Sequence, residues 1–150
     1  MTTEDVVIPV TYSQVPESER QVFLPTFFGN HYLKGEMLVY AWAEKLLPEY
    51  RGGFWNYYKL SNGGFFIAHS TSKEQVEIRV DTNGYRGQLT PISAGVVVTL
   101  FALNHLIAEL AQRGTRASLD LSDKLTDHYY QLRDFIESLP DASEVYGAID

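Results

Sequence analysis

Hydrophobic and polar positions change their rhythm several times along this 150-residue chain. Residues 1–15 alternate apolar and polar but carry Pro9 and, just beyond, Pro16, which predicts an arm or edge segment. Pro16-Glu17-Ser18-Glu19 has the proline and acids of a first helical turn, and Pro25 is expected to break that short element. From Gly35 to Tyr50, Leu38, Ala41, Trp42 and Leu46 recur at helical spacing while Glu36, Glu44, Lys45 and Glu49 take the other side, which predicts an amphipathic helix. After Gly52-Gly53 the period shortens. Phe54 to Leu60 and Phe65 to His69 flank Asn62-Gly63, a dipeptide suited to a type I′ hairpin turn. Val76 to Asp81 and Tyr85 to Leu89 flank Thr82-Asn83-Gly84 in the same way. Four strands in consecutive hairpins predict an antiparallel four-stranded meander over about residues 54–89.

The remaining third reads as helix. Thr90-Pro91 is an N-cap followed by proline at the first helical position. Ile92 to Leu110 is apolar nearly all round, the mark of a helix buried on most sides, and Gly114 closes it after Arg113. A second helix is expected from about Ser122 to Leu139, where Pro140 stops it. Leu121, Leu125, His128, Leu132, Phe135, Ile136 and Leu139 form its apolar stripe. At 100° per residue, Asp120, Asp123, Asp127, Asp134, Glu137 and Asp141 fall opposite. The fold class is therefore α+β: the meander packed with an N-terminal helical region and two C-terminal helices, in one domain spanning residues 1–150.

Charge sharpens this picture. Of the net −7, residues 119–150 contribute −6, with eight acids against Lys124 and Arg133. The excess is thus a stripe on one helix face. It argues against a general nucleic-acid binder, which concentrates lysine and arginine on phosphates. It is also too sparse for full DNA mimicry. Helical acids three or four residues apart are ~5 Å apart, whereas duplex DNA carries a charge every ~1.7 Å. A local electrostatic contact with a partner remains, and its candidate residues are Asp120, Asp123, Asp127, Asp134, Glu137 and, at the chain end, Asp150.

Candidate chemistry adds little. The absence of cysteine removes disulfides, thiolate metal sites and a cysteine nucleophile. His105 and Glu109 are one helical turn apart but lack a third ligand, so His105 reads as a boundary histidine and His128 as packing. No nucleophile elbow, P-loop, dinucleotide fingerprint or H-E-x-x-H motif occurs. No metal or cofactor is expected, and the reading is non-enzymatic. The rings Phe54, Trp55, Tyr57, Tyr58, Phe65 and Phe66 suit a core; the alternative is a base-stacking platform of a nucleic-acid-binding module. An acidic N-terminus and an apolar run of only about ten residues, Ala94 to Leu103, give no export or membrane signal, so the cytoplasm is the expected compartment.

Several motifs are more specific than composition. Phe23-Leu24-Pro25 with Phe28-Gly29, Val39-Tyr40-Ala41-Trp42, and Tyr50-Arg51-Gly52-Gly53-Phe54-Trp55-Asn56-Tyr57-Tyr58 follow one another in order. Leu60-Ser61-Asn62-Gly63-Gly64-Phe65-Phe66, Thr99-Leu100-Phe101-Ala102-Leu103, Tyr129-Tyr130-Gln131-Leu132-Arg133-Asp134-Phe135 and the closing Ala148-Ile149-Asp150 continue the series. Together they resemble the antirestriction family of the ArdB/KlcA type from about residue 20 to the C-terminus. The resemblance implies a protein of plasmids or other mobile elements that relieves type I restriction of incoming DNA. It implies no catalytic site and no cofactor, and a type I restriction-modification enzyme or an associated host factor as partner. Thr26-Phe27 departs from the family pattern, where an Arg-His pair usually stands.

Overall fold

A strand edge taken by a helix decides this architecture. The computed structural model describes residues 8–150, so the first seven residues of the expected arm lie outside the described residues. Within the rest of that arm, β1 (Tyr12–Gln14) is an exposed edge strand. It pairs antiparallel with β2 (Trp55–Leu60), Tyr12 opposite Leu60 and Gln14 opposite Tyr58. β2 pairs in turn with β3 (Phe65–His69), Trp55 opposite His69. The remaining two strands, β4 (Val76–Val80) and β5 (Tyr85–Leu89), form a separate two-stranded sheet.

The four predicted strands and both hairpins are therefore present, but the continuous four-stranded sheet is not. The reason lies in α3 (Pro91–Arg113), which runs along the free edge of β3. Its Thr99 hydroxyl accepts from the Ile67 N–H at 3.1 Å and donates to the Ile67 carbonyl at 3.2 Å, and both groups are buried. Gly95 lets the backbones close in: a Cβ there would stand 2.4 Å from Ala68 Cβ and 2.7 Å from the Ile67 carbonyl. A covering helix is a standard way to satisfy a sheet edge, and it leaves β4 no place beside β3. The polar link of residues 70–75 carries the chain away instead.

The Asn62-Gly63 turn differs from the expected type I′, and the turn at Thr82-Asn83-Gly84 is not of that type either. A type I′ turn needs positive φ at two central residues, yet positive φ among the described residues is confined to glycines. Gly63 has φ 93° after a Leu60–Gly63 hydrogen bond, and Gly84 has φ 74° beneath a bond to the Val80 carbonyl. The Asn62 side chain accepts from the Gly64 N–H and the Asn83 side chain from the Tyr85 N–H, so each asparagine braces the turn with its amide oxygen.

The N-terminal helices are α1 (Arg20–Phe28) and α2 (Tyr32–Leu46). Pro25 sits inside α1 without ending it. Its side is exposed, so the carbonyl that loses an N–H partner can meet water. α2 begins three residues earlier than expected and stops at Leu46 rather than Tyr50, because Pro48 disfavours helical geometry at Leu47. Phe23, Phe27 and Phe28 from α1 cover one face of the three-stranded sheet, with Phe23 stacked on Tyr57 at 4.7 Å and Phe27 on Phe65 at 4.2 Å. The opposite face stacks Tyr58 on Phe66 and Phe66 on Phe135.

α4 (Arg116–Phe135) starts six residues before the expected Ser122, capped by Thr115, whose hydroxyl accepts from the Ser118 N–H. A 3-10 turn (Ile136–Ser138) ends it early, and the unpredicted α5 (Ala142–Ile149) follows. Asp141, read as part of the outer acidic stripe, instead turns inward. It accepts from the Thr90 N–H at 2.9 Å and from the Ser93 hydroxyl, tying α5 to the start of α3. α3 is long and apolar enough to cross a membrane by length and composition, but here it is the central core helix, packed by α2, α4 and β3.

Candidate interaction surfaces

The predicted site residues all reach the surface. Asp120, Asp123, Asp127 and Asp134 project from one side of α4, Glu137 from the turn after it, and Asp150 from the chain end; all six are exposed. Two groups emerge. Asp120, Asp123 and Asp127 stand open on the first half of α4, without an ion pair among the described residues. Asp134 and Glu137 instead line a depression of about 730 Å³ with Arg133, Ser138, Tyr146 and residues 8–10. Asp150 reaches Arg133 at 3.6 Å. The structure thus brings Asp134, Glu137 and Asp150 together around one arginine and leaves the other three as a free acidic ridge.

The histidines have local partners. His105 Nε2 lies 3.2 Å from Glu109, which also meets Lys34 at 3.4 Å. Partial burial pushes the Glu109 carboxyl up, but the hydrogen bonds and charges of Lys34 and His105 outweigh it and hold it below the usual range. His31 Nε2 accepts from Arg113, and His69 Nε2 meets the Gly52 carbonyl at 2.9 Å between the rings of Tyr50 and Trp55. His128 Nδ1 lies 2.8 Å from Gln131 Oε1, and Gln131 Nε2 donates to the Asn62 carbonyl. The amide orientation makes His128 Nδ1 the donor, so Nε2 carries the lone pair. That atom is buried against Phe27 and Phe65 without a partner, and burial pulls the imidazole below its ordinary pKa. No histidine hydrogen-bonds a serine or threonine hydroxyl among the described residues. No group of three or more His, Asp or Glu placed to hold a metal ion occurs among them either.

The aromatic cluster settles mostly as core. Trp55, Tyr57, Tyr58, Phe65 and Phe66 are all buried, which withdraws them from base stacking. Phe54 alone is turned out, 58% exposed. Its ring and that of Tyr57 hold the Arg20 guanidinium between them, at 4.4 and 4.2 Å from the ring centres. Beside it, Leu33, Met37 and Tyr40 form an outward stripe on α2, opposite its buried residues Leu38, Val39 and Leu46. Met37 is 65% and Leu33 62% exposed. The Tyr40 hydroxyl is pushed up to about 12 by desolvation, with Glu36 adding to the shift and Arg20 opposing it. Sequence reading placed Leu38, Ala41, Trp42 and Leu46 on the apolar side but overlooked this second stripe; Ala41 is exposed. The signal was available, since Leu33, Met37 and Tyr40 are spaced by four and three.

The family model described as "Antirestriction protein" matches residues 48–150, more than half of the chain and every element from β2 onward. The chain belongs to the antirestriction protein family. Two relatives named "Antirestriction protein KlcA" from Escherichia coli are 48% and 43% identical, over the full length of both chains in each case. A solved chain of this antirestriction family superposes with a TM-score of 0.84 at 46% identity, covering all of both chains. That work describes KlcA and ArdB as having a novel fold and antirestriction activity against type I DNA restriction systems in vivo but not in vitro. The family's mixed α/β architecture is thus shared from end to end.

Proposed function

We propose that this chain relieves type I restriction of incoming DNA within the cell that carries it. It acts by contact with the restriction-modification enzyme or with a host factor that restriction requires, not by catalysis and not by stable DNA binding. The observation that carries the reading is the end-to-end match to a solved chain from work that describes KlcA and ArdB as active against type I restriction in vivo but not in vitro. That split favours a step needing a further cellular participant. The geometry agrees: the histidines are engaged locally, the sheet aromatics are internal, and the acids of α4 face outward.

The test is plating of unmodified phage, or transfer of an unmodified plasmid, into a type I restricting host with and without this gene. Recovery should rise when the chain is expressed, while cleavage by the purified restriction enzyme stays unaffected by added protein. Unchanged recovery in the restricting host removes the reading.

A further inference from the structure

The outward face of α2 has two unlike halves. Towards the N-terminus, Leu33 and Met37 form an exposed apolar ridge. Towards the C-terminus, Tyr40, Glu44, Leu47, Pro48, Tyr50, Arg51 and Gly52 line an open depression of about 470 Å³. A ridge and a hollow on opposite ends of one helix face are self-complementary under a two-fold axis, which lays the ridge of each copy into the hollow of the other. That is the defining property of an isologous interface, in which residue i meets j and j meets i.

We propose that this face binds a second copy of this chain, with two α2 helices antiparallel about an axis crossing between Met37 and Tyr40. The spacing of residues 33, 37, 40 and 44 is that of a helix seam. In the antiparallel arrangement Met37 of each copy meets Tyr40 of the other, a sulfur–aromatic contact twice over. Leu33 then reaches the Glu44 end of the opposite hollow. Phe54 and the Arg20 guanidinium held against it widen the face beyond a single helix, and such aromatic and arginine groups are enriched at interface hot spots.

Charge favours this occupant over others. The face mixes Arg20 and Arg51 with Glu36 and Glu44, so it is balanced in a chain of net charge −7. The acidic ridge of α4 lies beyond α3, which packs α2 on one side and α4 on the other. Two copies joined through α2 therefore keep their acidic faces apart, and repulsion between them is screened over a distance well beyond the ~8 Å Debye length. A polyanionic or strongly acidic partner finds only those few cations here, flanked by two acids.

The experiment is sedimentation equilibrium of the intact chain across a concentration series, which reads association independently of antirestriction. The expected result is a concentration-dependent species of twice the 17.0 kDa chain mass. Met37→Glu and, separately, Leu33→Glu should weaken dimerisation by about 100-fold or more, because the first buries an unpaired charge at the centre of the contact and the second sets a carboxylate against Glu44 of the other copy. Both residues are exposed in the single chain, so circular dichroism and the thermal midpoint of the monomer should not move. Tyr130→Glu, on the exposed side of α4, is the control that should leave the dimer intact. The chain has no cysteine, so mixing a Met37→Cys chain with a Tyr40→Cys chain adds a direct readout. Oxidation should cross-link the pair between copies, and Leu119→Cys should not. A wild-type chain that stays monomeric throughout, or a dimer untouched by both glutamate variants, overturns the proposal.

Discussion

Thr99 shows how much one side chain can decide. Its hydroxyl serves both backbone groups of Ile67 at the sheet edge. Thr99→Val keeps the shape and leaves a buried N–H and carbonyl unpaired, which should cost about 1–3 kcal/mol in urea unfolding. Gly95→Ala is a different lesion at the same contact. The added methyl meets backbone as well as Ala68, so α3 must back away from β3, and about 3 kcal/mol or more of stability should go. His128 sets a pH dependence. Its folded pKa lies below the unfolded value of about 6.5, so the unfolded chain binds the extra proton first. Stability should hold above that pH and fall below it until the folded imidazole also protonates. The charges near it are Lys124, which opposes protonation, and Asp127, which favours it. Denaturant midpoints between pH 7.5 and 5 should decline less steeply for His128→Gln than for wild type.

At the scale of elements, legibility followed locality. The β2–β3 and β4–β5 hairpins and the start of α3 were readable because each is specified by neighbouring residues: a glycine at the turn, Thr90 and Pro91 at the cap. The sheet's division was not, because it depends on Thr99 and Gly95 meeting Ile67 and Ala68 from thirty residues away. Nor was α5, whose eight residues are held by distant groups. Asn83 donates to the Gly147 and Ala148 carbonyls, and Tyr85 donates to Glu144. Pro25 misled because the penalty for an internal proline falls where the lost bond is buried, and here it is not. The β2–β3 turn is latched to α4 in the same long-range manner. Asn62 donates to the Gln131 carbonyl, and the Gln131 side chain donates to the Asn62 carbonyl. Asn62→Ala removes the side-chain half of that latch and a turn brace, and should lower stability by about 1–2 kcal/mol by thermal or urea unfolding.

For the whole molecule, sequence period placed the acids of α4 correctly on one exposed face, because a single helix carries them and 100° per residue is enough. It erred at Asp141, where the helix had already ended, and it missed the α2 stripe, whose exposure depends on what packs behind it. The proposed partner contact belongs to this scale. Asp123→Asn with Asp127→Asn removes two exposed charges without touching the core, so the unfolding free energy should stay within about 0.5 kcal/mol of wild type. Relief of restriction in cells should fall. Full activity in that double variant would return the ridge to solvation.

The clasp made by α5 reaches further than stability. Val145 and Ala148 are completely buried in the core although they come from the last few residues of the described chain, and their helix grips a turn made more than sixty residues earlier. A premature stop shortly before residue 142 removes both side chains and leaves the β4–β5 turn ungripped, so it should yield a product for the cell's proteases instead of a weakened inhibitor.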